Sequence, residues 1–111
     1  MPDRATFCVV YRFRIRAGTE DALVEAWSRL TRLIRDERGG LGSRLHRSDD
    51  GDWVAYAQWP DRATWERSSA LGTPDADASR VLAASIETRL PPLLLDPQAD
   101  LLTPCPAAPS G

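Results

Sequence analysis

The stretch from Gly39 to Trp65 constrains this chain more tightly than any other, because a helix stop, a hairpin and a helix start follow one another within it. Gly39-Gly40 ends the helix that precedes it. Leu41 to Ser48 and Asp52 to Trp59 have strand-like composition and flank Asp49-Asp50-Gly51, where a glycine can supply the positive φ of a tight hairpin turn. The loop length sets the register, and a one-residue slip would exchange the faces. A three-residue loop places Leu41, Leu45, Trp53, Ala55, Ala57 and Trp59 on one face, with Arg44, His46, Val54, Tyr56 and Gln58 on the other. This register is expected because it gathers the apolar residues of both strands. Pro60 then ends the second strand, and Asp61 is placed to cap a short helix to about Ser69 that carries Trp65.

On the N-terminal side, Thr6 to Arg16 alternates strictly, with Phe7, Val9, Tyr11, Phe13 and Ile15 on one face and Cys8, Val10, Arg12, Arg14 and Arg16 on the other. This predicts a strand with one dry face. Ala17-Gly18 turns the chain, and Thr19 is a suitable N-cap before Glu20 and Asp21, acids favoured at a helix start. A helix is expected to about Arg38, with Leu23, Trp27, Leu30 and Ile34 along one stripe. On the C-terminal side, Thr73-Pro74-Asp75 starts another helix, with Pro74 suited to its first position. Leu82, Ile86 and Leu90 fall at helical spacing, so this helix is expected to reach about Leu90, where Pro91-Pro92 stops it. Leu93-Leu94-Leu95 and Leu101-Leu102 are apolar runs separated by Asp96-Pro97, either of which could be a last strand, and one around Ala99 to Thr103 is favoured. The domain is therefore drawn over residues 1–103, with Pro-rich residues 104–111 as a disordered tail.

Composition narrows the function. A chain of 111 residues makes one domain, small enough that a half-buried sheet would gain from a partner subunit. A net charge of −2 and a pI near 5.3 argue against nucleic-acid binding, which needs a concentrated basic surface. No run approaches the roughly 20 apolar residues of a membrane span, and the first residues lack an apolar signal core, so a cytoplasmic protein is expected. Cys8 and Cys105 form neither a zinc spacing nor a disulfide framework and read as free thiols. Asp49, Asp50 and Asp52 lack the later carboxylate of a calcium loop and read as turn residues, so no metal site is expected. The chain has no Lys, which excludes Schiff-base catalysis, and no Asn.

The order strand, helix, strand, strand, helix, strand, with the second helix broken in two, predicts an α+β, ferredoxin-like four-stranded antiparallel sheet with helices on one face. Phe7-Cys8-Val9-Val10-Tyr11-Arg12-Phe13, then Gly18-Thr19-Glu20-Asp21 leading to Trp27, then Gly39-Gly40-Leu41-Gly42 and Trp59-Pro60-Asp61, resemble the antibiotic biosynthesis monooxygenase (ABM) family of the dimeric α+β barrel superfamily. The resemblance spans about residues 5 to 103. It implies a homodimer joined through the open sheet face, and a pocket in each subunit between helices and sheet. It also implies cofactor-independent oxygenation of an aromatic phenol or quinol, with no cofactor bound. The haem-degrading branch of the family uses Asn, Trp and His. This chain has no Asn and its one His is in the second strand, so haem degradation is rejected. The quinone-forming branch is also described with Asn, alongside Trp and Tyr or Arg. Trp and Tyr candidates are present here.

On this reading Trp59 and Trp65 bracket the pocket mouth and offer aromatic walls, with Trp27 and Tyr56 as further substrate contacts. Aromatic stripes usually signify core, so a core anchor is the more ordinary role for each tryptophan, Trp27 above all. His46 is the one side chain of a type that ionises near neutrality, which makes it the proton acceptor for a phenol, although a strand histidine is also at home on a surface. Tyr11, on the dry face, is the second catalytic candidate. A non-catalytic ligand-binding dimer of the same fold is the alternative function.

Overall fold

A computed structural model of the chain describes residues 6–103. Its elements are β1 (Phe7–Ile15), α1 (Glu20–Glu37), β2 (Gly42–Arg47), β3 (Trp53–Trp59), α2 (Arg62–Ala70), α3 (Ala76–Ser85), β4 (Ile86–Arg89) and β5 (Leu93–Leu95). The expected tail, with Cys105, lies outside the described residues.

The strict alternation of β1 becomes a strand whose Phe7, Val9 and Phe13 are buried. Glu20 and Asp21 lie in the first turn of α1 and Arg35 in its last, matching the helix dipole at both ends. Thr19 is the N-cap residue, but its hydroxyl does not cap the helix. It donates to the Arg16 carbonyl at 2.6 Å and secures the preceding turn instead. The hairpin has the expected three-residue loop. Ser48 N–H donates to Asp52 O at 2.8 Å, Gly51 takes a φ of +89°, and Leu45 pairs with Ala55, His46 with Val54 and Arg44 with Tyr56.

The sheet is antiparallel in the order β2-β3-β1-β4, with β5 also on β1. It has four lanes, and the fourth is shared by two short strands. β4 lies against Phe13 to Ile15, and β5 against Cys8 to Val10. Three expectations are corrected here. The helix expected to reach Leu90 ends at Ser85, and Ile86–Arg89 is strand. Ile86 is buried as the helical pattern required, but on the sheet, and Leu90 N–H donates to Arg12 O at 2.9 Å. The expected strand at 99–103 is irregular chain, since the place beside β1 is already filled by β4 and β5. Pro91 and Pro92 have no N–H to give the ladder, which explains the break between those two strands. Pro74 precedes the cap rather than opening the helix: Asp75 is the N-cap of α3 and accepts from Ala78 N–H at 2.9 Å.

All three helices meet one face of the sheet. Leu23 and Trp27 of α1 and Leu82 of α3 pack with Phe13, Trp53, Ala55 and Ile86. Trp65 of α2 and Ile34 pack with Phe7, Val9, Ala57 and Trp59. The opposite face carries Val10, Arg12, His46, Val54 and Tyr56, and within the single chain the sheet is open. Among the described residues no helix is long and apolar enough to cross a membrane, and no group of three or more His, Cys, Asp or Glu could hold a metal ion.

Candidate functional site

A cavity of about 230 Å³ lies between α1 and the inner face of the sheet. Its space comes from small residues on the floor, where Ala55 and Ala57 of β3 sit beside the larger Tyr11 and Phe13 of β1. Trp27, Leu30, Thr31 and Ile34 line it from successive turns of α1, the spacing that puts residues on one helical face. Leu82 and Ile86 close one side, and Trp59 and Gly40 lie at the α1–β2 turn. The polar residues that line it are Tyr11, Thr31, Ser43, Gln58, Trp59 and Arg89, and the Gln58 amide is turned to Tyr56 on the outer face. No Asp, Glu, His or Cys is among the described residues that line it.

Tyr11 is 36% exposed, and its hydroxyl oxygen accepts a hydrogen bond from Trp65 Nε1–H at 3.1 Å. Burial pushes the Tyr11 phenol up from its ordinary pKa, and the Trp65 bond opposes this only in part. The side chain is therefore a neutral O–H donor at physiological pH. Trp65 reaches Tyr11 because the Trp59-Pro60-Asp61 step fixes the start of α2. Asp61 Oδ1 accepts from Thr64 N–H at 2.8 Å and from Thr64 Oγ1 at 2.7 Å, one residue before the tryptophan. Those bonds from Thr64 hold the Asp61 carboxyl below its ordinary pKa. Phe7 supports the indole with ring centroids 5.5 Å apart. Trp59 is buried, and its indole Nε1–H has no hydrogen-bond partner among the described residues, an unmet donor on a residue of the cavity wall.

The structure brings Tyr11, Trp27 and Trp59 to the cavity, with Trp65 bonded to Tyr11 from outside the lining. It does not bring His46 or Tyr56 there. His46 is exposed on the outer face and accepts from Arg44 Nε at 3.2 Å. Tyr56, also on the outer face, lies 3.2 Å from the Sγ of buried Cys8, and Gln58 Nε2 donates to it at 3.4 Å. The bond with Cys8 is the main reason its phenol is pushed up, with burial adding to it. Sequence reasoning missed Arg89, which pairs with Phe13 across the sheet and lines the cavity. Reading a helix through to Leu90 hid it. Simple alternation from Ile86 would also have put Arg89 on the opposite face; the register shift between Arg14 and Ile15 sets Arg89 opposite Phe13, and the sequence carries no signal for it.

Comparison with solved structures shows the same fold at low identity. SnoaB, a cofactor-independent oxygenase from Streptomyces nogalater, is 21% identical with a TM-score of 0.68, covering 86% of this chain and 95% of its own. Rv0793 from Mycobacterium tuberculosis is 19% identical with a TM-score of 0.69, covering 86% of this chain and 98% of its own. PA3566 from Pseudomonas aeruginosa is 20% identical with a TM-score of 0.63, covering 89% and 100%. No curated protein matches the chain. The sequence profile described as antibiotic biosynthesis monooxygenase matches residues 6–73, from the first strand through the second helix, and the chain belongs to that family.

Proposed function

We propose that the protein is a cofactor-independent monooxygenase that binds a small aromatic phenol or quinol in the cavity between α1 and the sheet. The observation that carries this reading is the cavity itself, apolar on most sides, with Tyr11 and Arg89 among the few polar residues that line it. At about 230 Å³ it exceeds the roughly 150 Å³ cavity that holds one benzene, which suits one or two fused rings. Trp27 and Trp59 provide aromatic walls, and Arg89 and Tyr11 favour a ligand oxygen that carries negative charge. The electrons come from the substrate. An ionised ring passes an electron to dioxygen, the two radicals join as a carbon-bound peroxide, and loss of water leaves a carbonyl. One oxygen atom enters the quinone and the other leaves as water. The protein contributes orientation, an oxyanion partner and exclusion of bulk water. We further propose that it works as a cytoplasmic homodimer in which the outer sheet faces of two copies meet, covering Val10 and Val54.

A second reading is a non-catalytic binding protein of the same fold, favoured by the lack of a carboxylate or imidazole among the described residues that line the cavity. Oxygen-electrode measurements with 1-naphthol separate the two. The monooxygenase reading expects enzyme-dependent uptake of one dioxygen per quinone formed, with kcat/KM lowered about tenfold in Tyr11→Phe, the scale of one hydrogen bond to a charged group. Saturable binding of 1-naphthol without oxygen uptake above the uncatalysed rate would leave the binding protein.

A further inference from the structure

Tyr11 and Trp65 lie on different elements, 54 residues apart, and meet through one hydrogen bond in which the indole can only donate. The phenolic oxygen is therefore the acceptor in that bond, and its own proton must point elsewhere. Among the described residues no acceptor takes that proton. Tyr11 lines the cavity while Trp65 does not, so the indole acts on the cavity through the tyrosine. Arg89 adds a cation to the same wall, and neither Asp, Glu nor His is present among the described lining residues to remove a proton from a ligand.

Resting on the cavity reading above, we infer that Trp65 is a positioning residue that fixes Tyr11 as a hydrogen-bond donor, so that the site selects aromatic ligands that arrive already ionised. Trp65 is thus not a substrate wall. Its N–H sets the direction of the Tyr11 O–H, and a donor on the same wall as Arg89 can favour an oxyanion but cannot create one. A phenol too weakly acidic to ionise in solution would bind without this advantage. The raised pKa of the Tyr11 phenol agrees with a group that stays protonated while it donates.

The test uses two probes of similar shape, a nitronaphthol that is ionised at neutral pH and its methyl ether, which cannot ionise. Binding to the full chain is followed by tryptophan fluorescence. Wild type should bind the anion at least tenfold more tightly than the ether. Trp65→Phe keeps the aromatic contact with Phe7 but lacks the N–H. It should lose most of this preference while its affinity for the ether stays within twofold, and Tyr11→Phe should do the same. A second readout needs no ligand. With Tyr56→Phe as background, Tyr11 is the one remaining tyrosine. Its ultraviolet titration should then move to higher pH on Trp65→Phe, because the indole bond stabilises the phenolate. An undiminished anion preference in Trp65→Phe, equal loss of both ligands, or an unmoved Tyr11 titration would overturn the inference. Failure of both probes to bind wild type would overturn the cavity reading itself, and the inference with it.

Discussion

Gly39 carries two constraints at once. Its φ is +82°, and a Cβ there would stand 2.9 Å from Thr64 Cγ2. Gly39→Ala should therefore cost at least the ~1–2 kcal/mol of a left-handed non-glycine residue, read as a lower urea midpoint. Thr64 also donates to Asp61 and precedes Trp65, so the same change should loosen the Tyr11–Trp65 bond. Arg89 is expected to act on binding alone. It is exposed on β4, and Arg89→Gln should weaken an ionised naphthol about tenfold while leaving the thermal midpoint nearly unchanged. Side chains such as Trp59 and Tyr11 were legible in the sequence as inward-facing, because strand alternation fixes the face. What they touch was not, since Trp65 and Tyr11 meet only through the packing of α2 on β1.

At the scale of elements, α2 and α3 both begin on an aspartate cap, and each carboxyl is held below its ordinary value. For Asp61 the side-chain and backbone bonds from Thr64 are responsible, and for Asp75 chiefly the backbone N–H of Ala78 and then Arg29. A depressed folded pKa means stability that is present above the unfolded carboxylate value of 3.8 and is lost as pH falls from there through the lowered folded value. Asp61→Asn with Asp75→Asn retains capping side chains that do not titrate. It should flatten the acid limb of a plot of melting temperature against pH, whereas wild type should fall steeply below about pH 4. The first three strands, α1 and the start of α2 could be read in advance because glycine, proline and cap signals bracket each of them. The fourth lane could not. Leu82, Ile86 and Leu90 satisfy a helical spacing, and only the place left open beside β1 makes Ile86 to Arg89 a strand.

For the whole molecule, the outer face of the sheet presents Val10, Val54, Leu93 and Leu95 among Arg12, Arg44 and His46. If two copies meet there, Val54→Asp should convert a dimer to a monomer by light scattering, with the inner-face core intact by circular dichroism. The cavity opens on the other face, so the monomer should keep measurable affinity for an aromatic probe. Labelled dioxygen reads out whether an aromatic substrate is oxygenated in the cavity. Wild type should place one labelled atom in the 1,4-naphthoquinone formed from 1-naphthol and the other in water. Ala57→Leu, which fills the floor of the cavity, should abolish that incorporation while the protein still melts cooperatively. Label incorporation that persists unchanged in Ala57→Leu, or that never exceeds the uncatalysed rate in wild type, would contradict oxygenation in the cavity.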